Sequence, residues 1–176
     1  MDDHRCALTS SQTIGPFPHE AWAWAAMAER PASATLCIRG RLLDGQGQAI
    51  NDGWIEAWSP AVLEREQGAA MPGFRRVATD EAGAFMLWLT PTGRPGEPAA
   101  HITVFARGLL KHQHCALFLA DDPGLAGSAL LAQVPESRRH SLIAQVLTPG
   151  EGGPGYRWDI RLQGDAGSET VFFDYV

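Results

Sequence analysis

The chain has 176 residues, three cysteines and a formal net charge of −6, with a single lysine among its 14 basic residues. That length suits one domain able to bury a sizeable core. The acidic balance, with no run of Lys or Arg, disfavours nucleic acid and anionic membrane as partners. Cys6, Cys37 and Cys115 are few, odd and widely spaced, so they make no disulfide framework, and no C-x-x-C suggests zinc or redox work. The start, MDDHR, is not the basic head of a signal peptide, and no apolar run approaches the length of a bilayer span. A cytoplasmic domain is expected.

In chain order, TSSQTIGPFPH (residues 9–19) comes first. Thr13, Gly15 and Pro16 make a compact, stiff T-x-G-P turn in it. The Ala-rich composition of residues 17–30 predicts a short helix that Pro31 stops. Residues 1–33 thus read as an N-terminal arm with a short helix, and 34–176 as the main domain. From residue 34 the pattern turns to strands and turns: ATLCIRGRLL, the DGQG turn at 44–47, then GWIEAW. In GWIEAW, Trp54, Glu56 and Trp58 fall on one face, with Ile55 and Ala57 on the other. FRRVAT, DEAG and AFMLWLT predict a hairpin with Gly83 near its tip. A Pro/Gly loop follows at 90–99, then the strands AHITVFARG and HQHCALFLA.

Residues 124–132 predict a helical turn, HSLIAQVL a strand, and PGEGGPG a loop. YRWDIRLQG alternates cleanly: Tyr156, Trp158, Ile160 and Leu162 against Arg157, Asp159, Arg161 and Gln163. ETVFFDYV predicts a last strand. Strands without long intervening helices imply antiparallel pairing and an all-β, two-sheet β-sandwich with short helical segments.

Three features carry candidate chemistry. His112 and His114, two residues apart on a strand, share a face beside Cys115; two ring nitrogens at this spacing can share a metal, but spacing assigns no third ligand, and a polar sheet face or an interface pair is the simpler reading. His101 opens a strand after a loop, with Thr103, Phe105 and Arg107 on its face. Arg107 ends a strand beside a glycine, where a guanidinium suits a carboxylate fork or a surface ion pair. Asp121-Asp122 reads as a turn, and there is no phosphate loop, nucleophile elbow or zincin motif.

SQTIGPF, LLDGQGQAINDGWIEAW, HITVFARG and YRWDIRLQGDAGSETVFFD, in this order, resemble the intradiol ring-cleaving dioxygenases, and within them the α-type subunits. The resemblance implies a β-sandwich and a ferric enzyme that inserts O2 between the hydroxyl-bearing carbons of 3,4-dihydroxybenzoate (protocatechuate), in the β-ketoadipate route of aromatic catabolism. It implies an iron held by two tyrosines and two histidines, the histidines in an H-I-H stretch. Here that stretch is His101-Ile102-Thr103, so one histidine remains. The stretches that bear the family's tyrosines are SPAVLEREQG and TPTGRPGEPAA, and neither contains one. Pro98 stands where an arginine is expected. Tyr156 and Tyr175 fall on other segments.

The resemblance therefore implies Fe(III) bound by a partner β subunit and not by this chain, within a higher (αβ)n oligomer, and an isolated chain without activity. It assigns Thr13, Gly15, Pro16 and Arg107 to the substrate pocket. His112 and His114 are then structural. The loops around 59–73 and 90–99 read shorter than those of other α chains. The alternatives are a non-catalytic, transthyretin-like β-sandwich binding module, and a metal-binding sandwich using His112, His114 and Cys115.

Overall fold

A computed structural model describes Ser10, Gln12 and residues 26–27, 29–147, 155–165 and 167–174. Among the described residues nine strands carry the fold: β1 (Leu36–Leu43), β2 (Trp54–Trp58), β3 (Phe74–Ala78), β4 (Ala84–Leu89), β5 (Ala100–Phe105), β6 (Gln113–Leu119), β7 (Ile143–Val146), β8 (Gly155–Arg157) and β9 (Ile160–Arg161). The only helices among the described residues are short 3-10 segments, including Pro60–Glu66, Leu125–Gly127, Leu131–Gln133 and Glu136–Leu142. The expected helical turn at 124–132 is thus present. Most of the helix expected at 17–30 lies outside the described residues. At its described end Met27 bridges Arg76 in an antiparallel pair, so this end is extended.

The strands form one hydrogen-bonded path, β3-β2-β5-β6-β7-β8-β1-β4, with β9 added beside β1. The expected pairing was antiparallel throughout. Instead β6 pairs with β7, and β1 with β8 and β9, in parallel. The expected β3–β4 hairpin does not form a ladder either: β3 pairs with β2, and β4 with β1. The DEAG turn is real, with Gly83 at φ +68° and Asp80 accepting from the backbone N–H groups of Ala82 and Ala84. It carries the chain from one end of the path to the other. The two end strands then meet across the seam, where Arg75 Nε donates to the Trp88 carbonyl at 3.1 Å. The sheet is nearly closed on itself.

Alternation decides what fills the interior. Ile38 and Leu42 on β1, Ile55 and Ala57 on β2, Phe85, Leu87 and Leu89 on β4, and Ile102 and Val104 on β5 all point inward and are buried. Tyr156, Trp158 and Ile160 join them, as the alternating pattern predicts, while Arg157 faces out. β6 is buried on both faces from Cys115 to Phe118, which suits its central place in the path. The C-terminal stretch contributes an isolated bridge, Phe173 to His114, rather than the expected strand.

Gly40 marks the tightest packing on β1. A Cβ there would lie 1.7 Å from the Trp158 carbonyl oxygen and 2.7 Å from the Phe85 ring. Both neighbours are core groups, so neither can give way cheaply. Gly40→Ala is expected to lower unfolding free energy by about 1–3 kcal/mol or more, read from urea denaturation; an unchanged midpoint would contradict this packing.

Candidate functional site

The outer face of β3-β2-β5-β6 collects most of the chemistry-bearing side chains in cross-strand rows. The strand registers place Phe74, Trp58 and His101 in one row, and Arg76, Glu56, Thr103 and His114 in the next. In the second row Arg76 forms an ion pair with Glu56 at 2.6 Å. Thr103 Oγ1 lies 3.0 Å from His114 Nδ1, within hydrogen-bond distance. His112 and His114 do share a face: their rings meet edge to face at 4.6 Å, and His112 also lies 5.4 Å from the Phe105 ring. Cys115 does not join them. It pairs in register with Ile102, points into the core, and burial pushes its thiol far up, so it is not a thiolate ligand. Among the described residues no three His, Cys, Asp or Glu side chains gather where they could hold a metal.

SPAVLEREQG becomes the 3-10 helix Pro60–Glu66 and the turn after it. Glu66 ends fully buried and forms an ion pair with Arg75 at 2.6 Å. It also accepts from Thr90 Oγ1 and from the Gly73 backbone N–H. Burial alone would raise its carboxyl, but the hydrogen bonds from Thr90, Arg75 and Gly73 outweigh this and hold it below the usual carboxylate value. The preceding Arg65 donates to the Pro91 and Thr92 carbonyls. It thereby ties this helix to the 90–99 loop, the other stretch without its expected tyrosine.

Arg107 follows β5 at a turn completed by Gly108 at φ +87°. Its Nε lies 3.1 Å from Asp52 Oδ2. The arginine side chain is 62% exposed and the aspartate side chain 6%. Asp52 Oδ2 is buried and has no hydrogen bond of good geometry, so the facing charge of Arg107 is its compensation. A hollow of about 310 Å3 opens next to this turn, lined by Phe105, Ala106, Leu109, Leu110, Lys111, His112 and Gln12. Gln12 immediately precedes Thr13. Thr13, Gly15 and Pro16 themselves lie outside the described residues, as does Tyr175.

Similarity to known proteins runs along nearly the whole chain. It is 31% identical to the protocatechuate 3,4-dioxygenase alpha chain of Pseudomonas putida over 200 aligned positions, covering 95% of this chain and 96% of that one. The chain belongs to the protocatechuate 3,4-dioxygenase alpha-chain family. Solved structures share its fold at lower identity. The dioxygenase domain of a carbohydrate-binding fusion protein from Streptomyces sp. SirexAA-E superposes with a TM-score of 0.59 at 16% identity, over 93% of this chain and 96% of that one. Catechol 1,2-dioxygenase from Acinetobacter sp. ADP1 gives 0.56 at 20% identity, over 83% and 58%. No family model matches the chain.

The iron that an intradiol fold implies does not fit the donors of this face. His101 is present, but Thr103 is engaged with His114 and is no ligand for a hard trivalent ion. Tyr156 donates its hydroxyl to Asp121 at 3.0 Å, and burial with that carboxylate pushes its phenol up to about 12. It stays a neutral phenol and packs in the core, away from this face.

Two histidines of this face are held below the ordinary imidazole value. For His101 the cause is burial, opposed by Glu97; for His114 it is burial, then His112 and Lys111, opposed by Glu56. The folded state thus favours the neutral rings, while the unfolded chain takes up protons from about pH 6.5 downward. Stability is therefore expected to fall as pH drops through about 6.5, where the unfolded chain takes up protons that the folded chain does not. His114→Gln should flatten that part of the profile in urea titrations at each pH; an unaltered slope would assign the loss to other groups.

Proposed function

We propose that this chain is the non-iron-binding α subunit of a protocatechuate 3,4-dioxygenase, paired with a β subunit that holds the ferric ion, and that it completes that subunit's substrate pocket. The observation that carries the reading is the donor set on the outer face: His101 alone matches the family's four ligand positions, in a chain of alpha-chain lineage. A chain without the metal contributes walls and charge. In this reading O2 enters between the two hydroxyl-bearing carbons of 3,4-dihydroxybenzoate to give 3-carboxy-cis,cis-muconate. The isolated chain is inactive, and αβ pairs assemble into a higher (αβ)n oligomer in the cytoplasm.

Arg107 supplies the charge. Asp52 engages its Nε, which fixes the plane of the guanidinium, and the terminal nitrogens make no hydrogen bond with a described residue. That leaves two parallel N–H donors for the substrate carboxylate. On a chain of net charge −6, a positive group at the entrance also offsets the repulsion an anionic substrate meets. Thr13, Gly15 and Pro16 supply the wall. Glycine lets the backbone come close to a flat ring, and proline holds the turn without much entropy to lose. The place of Gln12 beside the Arg107 turn supports bringing the two together.

Co-expression with a β-type chain tests the reading. The pair is expected to carry iron and turn over protocatechuate, and the isolated chain to do neither; a pair that forms without turnover would sink it. In the pair, Arg107→Ala should raise KM for protocatechuate about tenfold, as loss of a charge-assisted hydrogen bond implies, with kcat little changed. Arg107→Lys, which keeps the charge and loses the fork, should fall between. An unchanged KM would remove Arg107 from the pocket.

A further inference from the structure

The seam between β3 and β4 is crossed by more than Arg75. Met27 exchanges two backbone hydrogen bonds with Arg76 of β3, at 2.9 and 3.1 Å. Further on, Ser33 Oγ lies 3.0 Å from the Oγ1 of Thr90, the residue after β4. Residues 27 and 33 thus tie the same stretch of chain to both ends of the sheet. Between this strap, β3 and the turn after the helix Pro60–Glu66 lies a hollow of about 440 Å3. That falls within the span of small-ligand sites, about 300–1,000 Å3. Met27, Ala69, Met71 and Phe74 give it apolar walls.

The charged side chains lining it are Glu29, Arg30, Arg65, Glu66 and Arg75. Glu66 and Arg75 neutralise each other, and their remaining donors and acceptors are taken by Thr90, Gly73 and two carbonyls. Arg65 gives both terminal nitrogens to the Pro91 and Thr92 carbonyls, and in the count of charge Glu29 offsets it. Arg30 is left over. Its guanidinium stacks on Trp88, with Cζ 3.8 Å from the ring centroid, and its Nε donates to the Ala34 carbonyl at 3.0 Å. Those two contacts fix its plane. The two terminal nitrogens make no hydrogen bond or ion pair with a described residue. A rigid fork of donors beside apolar walls, carrying one uncompensated positive charge, suits one carboxylate held through both oxygens.

We propose that this hollow is a binding site for a small monocarboxylate with an apolar body, the carboxylate on the terminal nitrogens of Arg30 and the body against Phe74, Met27 and Met71. One net positive charge favours a monoanion over a doubly charged phosphate. Phe74 offers a ring to a flat body, and the two methionines adapt to its outline. The guanidinium is already in place, so little ordering entropy is lost on binding. The site is separate from Arg107. Phe74 shares its row with Trp58 and His101, near the start of β5, and Arg107 follows the other end of that strand. A ligand here needs neither Arg107 nor iron.

Calorimetric titration of the full chain with benzoate at low salt tests this. Saturable binding is expected, with acetate, which lacks the body, and benzamide, which lacks the charge, each at least tenfold weaker. Arg30→Gln should weaken benzoate binding at least tenfold. Arg30→Lys, which keeps the charge and loses the fork, should fall between, with circular dichroism reporting an intact fold for each. No saturable binding by the wild type, acetate binding as tightly as benzoate, or an unchanged affinity in Arg30→Gln would each overturn the proposal. So would binding lost in Arg107→Ala and kept in Arg30→Gln, which would place the carboxylate at the other arginine. In the chain co-expressed with a β-type partner, Arg30→Gln should remove one benzoate per chain. Equal stoichiometry for the two pairs would overturn the site and give the hollow to the partner's surface.

Discussion

One buried arginine holds the ends of the sheet together. Arg75 on β3 donates to the Trp88 carbonyl of β4, to the Phe74 carbonyl, and to the carboxylate of Glu66. β3 and β4 stand at opposite ends of the strand path, so these contacts turn an open sheet into a nearly closed one. The arrangement works because every polar atom in it is engaged: Glu66 also takes hydrogen bonds from Thr90 and Gly73, and Thr90 reaches on to Ser33 at 3.0 Å. A buried pair of this kind adds little over a well-packed apolar equivalent. Removing one partner strands the other, at about 3–5 kcal/mol. Its role is specification: it sets where the helix Pro60–Glu66 sits and closes the seam in one way.

The same stretch shows how a face changes its task. In the stretches where the resemblance leads one to expect tyrosines, this chain has Glu66 in the seam and Arg65 reaching across to the 90–99 loop. Where a second histidine is expected, Thr103 meets His114. Side chains that would converge on an ion are instead tied to one another and to the scaffold. Arg107 is the exception, half engaged by Asp52 and otherwise open to solvent.

Much of the strand content was legible because burial imposes a period of two. Tyr156, Trp158 and Ile160 announce their inward face in the sequence, as do Ile55 and Ala57. Partner choice was not legible. Asp80 to Gly83 carries the same turn chemistry whether the flanking strands pair with each other or part, and what separates β3 from β4 is the distant competition of β2 and β1 for their edges. The parallel partners of β1 arrive from the far end of the chain, beyond any local signal. The candidate site rests on family motifs rather than on spacing: His101 and Arg107 carry no local mark, and the partnership of Arg107 with Asp52 needed the fold to reveal it.

The place of β1 bears on how the chain is made. It is among the first strands to be synthesised, yet it ends up flanked by β4 on one edge and by β8 and β9 on the other. Until β8 and β9 have been translated, one edge of this Leu- and Ile-bearing strand stays unpaired, a template for another nascent chain. Pairing of β1 on both edges is thus deferred until β8 and β9 have been made.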